Sequence, residues 1–94
     1  MNSKKNKHIA ALLKSIGHPI RVQIIHVLTN NSSMSVSELS SALSIDQPVM
    51  SLHLAVLRKH NVIKAEKRGK QSFYYLSDIN TQQIVNIAYY AKMD

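Results

Sequence analysis

Hydrophobic residues recur at helical intervals near the start of the chain. Four of them occupy positions i, i+3, i+4 and i+7, as on one face of an amphipathic helix; they are Ile9, Leu12, Leu13 and Ile16. Gly17 is placed to end this helix and Pro19 to begin the next, because glycine is favoured just beyond a helix and proline in its first turn. The second helix is predicted over residues 19–29, and its apolar face comprises Ile20, Ile24, Val27 and Leu28. A polar loop at residues 30–34 follows.

Two shorter helices separated by a tight turn are predicted next. Ser35 and Glu38 form a capping-box pattern, in which each side chain binds an otherwise unpaired backbone N–H at a helix start. This helix ends near Ser44, and its apolar residues are Val36, Leu39 and Leu43. Asp46 is predicted to cap the following helix, which runs to about His60. The core-facing residues of that helix are Met50, Leu54 and Leu57. Two short helices joined in this way form a helix-turn-helix.

The hydrophobic pattern changes after Asn61. Residues 62–67 and 71–77 are rich in β-branched and aromatic side chains, and the short basic turn between them contains Gly69, which predicts a β-hairpin. A second capping pattern at residues 80–83 predicts a terminal helix with an apolar face of Ile84, Ile87, Ala88 and Ala91. The predicted order is α-α-α-α-β-β-α, a mainly α fold with a small β hairpin, which is a winged helix-turn-helix.

The length of 94 residues predicts a single domain over residues 1–94, with residues 1–7 as a flexible basic N-terminus. A domain this short leaves much apolar surface uncovered when it folds alone, yet 45% of its residues are hydrophobic. We therefore expect a dimer that buries one remaining apolar face. No stretch matches a signal-peptide core or a bilayer span, so we expect a cytoplasmic protein without a membrane partner.

The chain is basic, with a formal charge of +7 and an isoelectric point near 9.9. Charge of this size is common in soluble domains, so its position matters more than its amount. Half of the twelve basic residues lie between positions 58 and 70, with Glu66 as the one acidic residue among them. They could merely protect an exposed strand edge from pairing. Beside a helix-turn-helix, they favour contact with the phosphates of DNA.

The last helix of the helix-turn-helix is the element expected to enter the major groove of DNA, over residues 46–60. The residues opposite its core-facing side, which we expect to contact DNA, are Gln47, Pro48, Ser51, Leu52, Ala55 and Lys59. Gln47 and Ser51 are candidates for hydrogen bonds to base edges, whereas Leu52 and Ala55 could touch thymine methyl groups. The hairpin, or wing, at residues 67–71 would place Lys67, Arg68 and Lys70 along the phosphates.

Other chemistries lack the residues that they need. The chain has no cysteine, which excludes disulfides, thiolate zinc sites and cysteine nucleophiles. Its five histidines are not spaced as ligands on one helix, and no sequence motif of a catalytic site is present. We therefore expect no cofactor, no metal and no enzymatic activity. His18 is predicted instead to cap the second helix, His53 to pack or bond beneath the recognition helix, and His26 to lie at the surface or its boundary.

These features together resemble the ArsR/SmtB family of bacterial repressors, over about residues 9–90. The segments similar to the family pattern are residues 13–21, residues 36–39, the set Gln47, Ser51, His53, Leu54 and Leu57, residues 61–63, the turn Arg68-Gly69-Lys70, and Tyr74-Tyr75-Leu76. Pro48 and Leu52 depart from that pattern, because relatives often have serine at the first position and arginine or histidine at the second. The operator sequence of a relative therefore cannot be transferred to this chain.

The resemblance also implies a homodimer whose interface is formed by the first and last helices. The candidate interface residues are Ile9, Leu12, Ile84, Ile87 and Tyr89; all of them could instead belong to the core of one subunit. Many relatives release DNA when they bind a metal. Here the cysteine pair of one such site is absent. At the second site Asp78 matches one ligand, while Asn80, Ala91 and Asp94 occupy the other places, a poor set for zinc.

Three functions are compatible with the sequence. The leading hypothesis is a repressor that binds an inverted-repeat operator in double-stranded DNA, with half-sites about one helical turn apart. The alternative is a protein-interaction module, such as a co-regulator or an antitoxin-like partner, because Pro48 and Leu52 make the outer face of the recognition helix partly apolar. Non-specific packaging of nucleic acid is a third, suggested by the charge. The sequence does not identify an inducing ligand.

Overall fold

Five helices and three short strands follow one another in the computed structural model, which describes residues 2–91. The elements are α1 (Ser3–Ile16), α2 (Pro19–Asn30), β1 (Met34–Ser35), α3 (Val36–Leu43), α4 (Gln47–Lys59), β2 (Ile63–Arg68), β3 (Gln71–Leu76) and α5 (Ile79–Tyr89). The three strands form one antiparallel sheet in the order β1-β3-β2. The predicted class, mainly α with a β-hairpin wing, is confirmed.

Two parts of the chain differ from the predicted elements. Met34 and Ser35 were predicted to lie at the end of a loop and the start of a helix, but they form β1 and pair with Tyr74 and Phe73 of β3. A strand of two residues has no recognisable pattern of its own, because its partner strand determines it. The basic N-terminus was predicted to be flexible to residue 7, whereas α1 begins at Ser3, since Asn2 accepts a hydrogen bond from the Lys5 N–H.

Two of the predicted helix caps are present. His18 accepts the Ile20 N–H through Nδ1 at 3.1 Å, directly before Pro19 in the first position of α2. Ser35 and Glu38 form the predicted capping box at the start of α3, with N···O distances of 3.1 and 2.9 Å. These local bonds fix where the two helices begin.

The other two predicted caps lack the side-chain bonds that were expected. Asp46 precedes α4 but makes no side-chain capping bond. A capping side chain usually binds the second or third N–H of the helix, and Pro48, the second residue of α4, removes one of these two donors. At α5 the cap is Asp78 instead of residues 80–83. One Asp78 carboxylate oxygen accepts the Asn80 N–H at 3.0 Å, and the other accepts the Thr81 hydroxyl at 2.6 Å.

The core lies between α2, the helix-turn-helix and the sheet. The predicted stripe of α4 is confirmed, because Met50, Leu54 and Leu57 are buried. In α2 the prediction was partly wrong: Ile25 is buried beside Ile24, because α2 packs against α3, α4, α5 and β3 and is therefore covered on more than one side. The predicted α2 core residues Ile20 and Val27 are half-buried.

The predicted apolar face of the terminal helix is not the side that packs in the core of the subunit. Thr81 and Val85 of α5 face the core, whereas Ile84 and Ile87 are exposed. The described part of the chain, residues 2–91, contains no helix that is both long enough and apolar enough to cross a membrane.

Candidate nucleic-acid interface

The turn between α3 and α4 sets the orientation of the two helices. Ser44 ends α3 in the left-handed conformation, with φ 54° and ψ 47°, and its backbone N–H bonds to the Ser40 carbonyl. The Ile45 N–H bonds to the same carbonyl at 3.0 Å. Three residues, 44–46, therefore connect α3 to α4. The buried side chains of Leu39 on α3 and Leu54 on α4 then belong to one core.

The outer face of α4 is open to solvent along its whole length. It consists of the six residues predicted to contact DNA, all of them exposed: Gln47, Pro48, Ser51, Leu52, Ala55 and Lys59. Leu52 has 69% of its surface exposed, although leucine is usually buried. Because Met50, Leu54 and Leu57 pack in the core on the opposite side of the helix, this face points away from the core.

Ser37 is a residue of this site that the sequence prediction missed. Its hydroxyl accepts a hydrogen bond from the Gln47 side-chain amide, Nε2 to Oγ, at 3.1 Å. The bond connects α3 to the first turn of α4 and orients the Gln47 amide. The Gln47 carbonyl oxygen and the second N–H of its amide keep their hydrogen-bonding capacity.

The wing is a tight hairpin in which Arg68 lies opposite Gln71. Gly69 adopts a φ of 62°, a conformation that glycine accepts without strain. Lys67 and Lys70 are exposed. Arg68 is more constrained than predicted, because its guanidinium lies 4.8 Å from the Phe73 ring centroid and 3.4 Å from the Glu66 carboxylate. Both charged side chains of this pair are largely exposed, so the pair is weak and does not exclude a phosphate.

The inner side of α4 is joined to α2 by polar groups. Arg21 donates from Nε to Nδ1 of His53 at 3.2 Å, and from Nη1 to the Ser15 carbonyl at 3.0 Å. The rings of His18 and His53 lie 4.6 Å apart between centroids. Burial lowers the pKa of His53, and the proximity of His18 and Arg21 lowers this pKa further. His53 therefore bonds beneath the recognition helix, as predicted.

A second exposed surface is apolar and lies on α5 and the adjoining end of α1. Of the predicted interface residues, Ile9, Ile84, Ile87 and Tyr89 are exposed and Leu12 is half-buried. A groove of about 490 Å³ adjoins Ile84 and Tyr89, and its lining also includes Ile16, Val22 and Val85. The Tyr89 ring stacks on His26 with centroids 3.8 Å apart, which fixes the end of α5 to α2.

The residue that matches one ligand of the family's second metal site is used structurally. Asp78 caps α5 with both carboxylate oxygens. Within residues 2–91 no group of three or more His, Asp or Glu side chains is arranged to hold a metal ion. Asp94, which occupies another ligand position of the family, lies outside the described residues.

Comparison with known proteins identifies the family. A family model described as bacterial regulatory protein, arsR family, matches residues 18–65, from the cap of α2 into β2. The chain belongs to this family. An uncharacterized HTH-type transcriptional regulator of Methanocaldococcus jannaschii is 34% identical over 84 residues, 89% of this chain and 94% of that protein.

Two further similar proteins cover most of this chain. The biofilm growth-associated repressor of Xylella fastidiosa is 35% identical over 86 residues, 92% of this chain and 75% of the repressor. The solved structure of HlyU from Vibrio cholerae superimposes with a TM-score of 0.86 at 31% identity, covering 97% of this chain and 100% of that one. The resemblance inferred from the sequence is confirmed, and the chain is a DNA-binding transcriptional regulator with a winged helix-turn-helix. These relatives do not support a protein-interaction module.

Proposed function

We propose that this arsR-family regulator is a homodimeric repressor that inserts α4 into the major groove of an inverted-repeat operator. The observation that carries the proposal is the exposed outer face of α4, which is anchored on its inner side and flanked by a basic wing. An α-helix fits the major groove, where each base pair presents a distinct pattern of donors and acceptors. Its place of action would be the cytoplasm, where bacterial chromosomal DNA lies.

The outer face of α4 divides into two kinds of contact. Gln47 and Ser51 have polar side chains for base edges, and the Ser37 bond holds the Gln47 amide in one orientation. Such an amide recognises adenine through N6 and N7. Leu52, Ala55 and Pro48 supply apolar contacts of the kind that a thymine methyl group makes. Lys59, together with Lys67, Arg68 and Lys70 of the wing, would bind phosphates.

Dimerisation is supported by the apolar surface on α1 and α5. Monomeric proteins seldom expose contiguous apolar patches of more than about a few hundred Å². Here Ile84 and Tyr89 line an apolar groove, and Ile87 on the same helix is exposed. A second copy with the same surface would cover it through a two-fold interface. Two copies would then present two α4 helices to successive turns of DNA, which requires half-sites about one helical turn apart.

Repression is the outcome that we expect from such a dimer. A protein that covers promoter DNA excludes RNA polymerase without needing any further contact. A relative, the biofilm growth-associated repressor of Xylella fastidiosa, is named for this activity. A reporter gene behind the bound promoter would decrease in expression when the regulator is present, whereas an activator would increase it.

The test is a fluorescence-anisotropy titration with two duplexes at two salt concentrations. One duplex is the sequence that the protein selects from random DNA, and the other is a scrambled version. We expect a specificity ratio of about a thousand or more that is lost in the double variant Gln47→Ala, Ser51→Ala. The matched control Gln23→Ala, Ser32→Ala changes the same residue types at exposed positions outside α4 and should retain the ratio.

Each other result would point to a different function. Equal binding to all duplexes with a steep salt dependence would indicate non-specific packaging. No binding at low salt would favour the protein-interaction module. Retention of the full ratio in the Gln47 and Ser51 double variant would show that α4 is not the element that recognises the bases.

A further inference from the structure

The side chain of Arg21 joins three helices behind the outer face of α4. Its Nε–H donates to Nδ1 of His53, on α4, at 3.2 Å, while Nη1 donates to the carbonyl of Ser15, at the end of α1, at 3.0 Å. Ser15 is buried, so this carbonyl is a fixed anchor. His53 follows Ser51 by two residues, and any rotation of α4 that moves Ser51 also moves His53.

The Arg21–His53 bond exists only in one protonation state of His53. Nδ1 accepts the Arg21 N–H through its lone pair, which is free only when that nitrogen carries no proton. The imidazolium ion has N–H groups on both nitrogens and would face the Arg21 guanidinium with like charge. The titratable and charged groups that face His53 are Arg21 and His18, both from the start of α2, and α1 contributes the neutral Ser15 carbonyl.

We propose that Arg21 and His53 are positioning residues that hold α4 in its DNA-binding orientation, and that acid releases this hold by protonating His53. The inference rests on the proposed function, because its consequence is measured on operator DNA. Neither residue needs to touch DNA. The hydrogen bonds of Arg21 to His53 and to the Ser15 carbonyl act by setting the angle at which α4 presents its outer face to the bases.

The sign of the pH effect follows from the environment of His53. Burial, His18 and Arg21 lower the pKa of His53, so the neutral form that accepts the bond is favoured in the folded protein. The bond is therefore intact above the ordinary histidine value of about 6.5 and is lost as the pH falls through the lowered pKa. Folding stability changes in the same direction, because the unfolded chain binds the proton more readily.

Sequence specificity distinguishes the loss of the Arg21–His53 bond from a general electrostatic attraction to DNA. A protonated His53 adds positive charge, which strengthens attraction to any duplex. The ratio of operator to scrambled affinity removes most of that common term. We expect this ratio to fall about tenfold on acidification, the change expected when one charge-assisted hydrogen bond is lost.

The experiment measures this ratio in steps from about pH 7.5 down to about pH 4.5, well below the ordinary histidine value of about 6.5, because the pKa of His53 is lowered. His53→Gln keeps an acceptor for Arg21 but cannot titrate, so its ratio should stay nearly constant with pH. The matched control His60→Gln removes a histidine from the end of the same helix and should retain the wild-type pH dependence. Arg21→Lys keeps the charge but cannot bridge Ser15 and His53, so its ratio should be low across this pH range.

A second measurement needs no DNA. The NMR signal of the Arg21 Nε–H in the free protein should be protected from exchange at the higher pH and should lose protection with the titration of the His53 ring. His18→Asn preserves a capping acceptor for α2 while removing the neighbouring imidazole. This variant should retain the loss of Arg21 protection, displaced toward higher pH because one cause of the lowered pKa is gone.

The outcomes distinguish this inference from the proposed function. A wild-type ratio of operator to scrambled affinity near one at the higher pH would contradict the proposed function. The NMR signal of the Arg21 Nε–H would still test the Arg21–His53 hydrogen bond. Specific binding whose pH dependence is unchanged by His53→Gln would overturn the positioning role and leave the repressor intact. Loss of the pH dependence in His18→Asn with its retention in His53→Gln would assign the titration to His18 and overturn it as well.

Discussion

Leu52 and Leu54 lie two positions apart on α4 and have opposite environments. Leu54 has 1% of its surface exposed and packs in the core, whereas Leu52 has 69% exposed and lies on the outer face. Two residues along a helix correspond to a rotation of more than half a turn. The same residue type therefore stabilises the fold at one position and is available to a partner at the other.

Substitution of each leucine by alanine separates these roles. Leu54→Ala should lower the free energy of unfolding by about 2–5 kcal/mol, because it leaves a cavity in a closed core. Leu52→Ala should change it by less than about 0.5 kcal/mol but weaken binding to the operator. Urea denaturation of both variants measures the first quantity, and anisotropy titration the second. Equal losses of stability would show that Leu52 is buried in solution, for instance by a partner.

Individual caps show which residue-scale features could be predicted. The His18 and Ser35–Glu38 caps involve neighbours within three positions, so the local sequence contains all of their partners. The Gln47–Ser37 and Arg21–His53 bonds join residues 10 and 32 positions apart. No periodicity relates such positions, and only the packing of α4 against α3 and α2 brings them together.

At the scale of elements, the wing and the small sheet form one unit. β3 is the central strand, between β1 and β2, so the hairpin is attached to the start of α3 as well as to the end of α4. The sequence predicted the hairpin from its glycine turn, and missed β1. The tip of the wing, at Gly69 and Lys70, projects beyond this sheet and is exposed.

The salt dependence of DNA binding tests the role of the wing. Lys70→Gln should reduce the slope of log K against log salt by about 0.9 for each phosphate that the side chain no longer neutralises, because fewer counterions are released. The specificity ratio should change little, since phosphates are common to all sequences. Lys14→Gln, at an exposed position near the end of α1, is the matched control and should leave the slope unchanged. An unchanged slope for Lys70→Gln would place the wing away from the phosphates.

At the scale of the whole molecule, the apolar residues on α1 and α5 remain exposed when the chain is considered as a single subunit. The helical pattern of α5 placed Ile84 and Ile87 on an apolar face, but the structure turns Val85 and Thr81 to the core instead. Ile87 is 73% exposed. Periodicity shows that a helix has an apolar side, and it cannot show whether that side meets the same chain or another copy.

A charge on this surface should prevent dimerisation. Ile87→Asp would bury a carboxylate in the proposed interface, which is unfavourable without a partner charge. We expect a monomer by sedimentation equilibrium, and we expect this variant to bind the full inverted repeat more weakly than the wild-type protein does. Leu52→Asp, at a similarly exposed apolar position on α4, should remain dimeric. A dimer in both variants would exclude Ile87 from the interface.

The amino-acid sequence by itself determined the local features of this protein. Helical spacing, the Ser35–Glu38 and His18 caps, the glycine turn and the cluster of basic residues depend on neighbours in the chain. They predicted the class of fold, the winged helix-turn-helix and the family, and they placed six exposed residues on the outer face of α4. Interactions between neighbours in the sequence do not depend on which elements pack against one another.

The tertiary structure alone decided the features that depend on distant contacts. β1 forms because β3 lies beside it, and Ile25 is buried because several elements surround α2. The side of α5 that faces the core and the bond between Arg21 and His53 likewise follow from packing. The physical reason is the same in each case: burial and hydrogen bonding between elements depend on their arrangement in space, which overrides the weaker preferences of the local sequence.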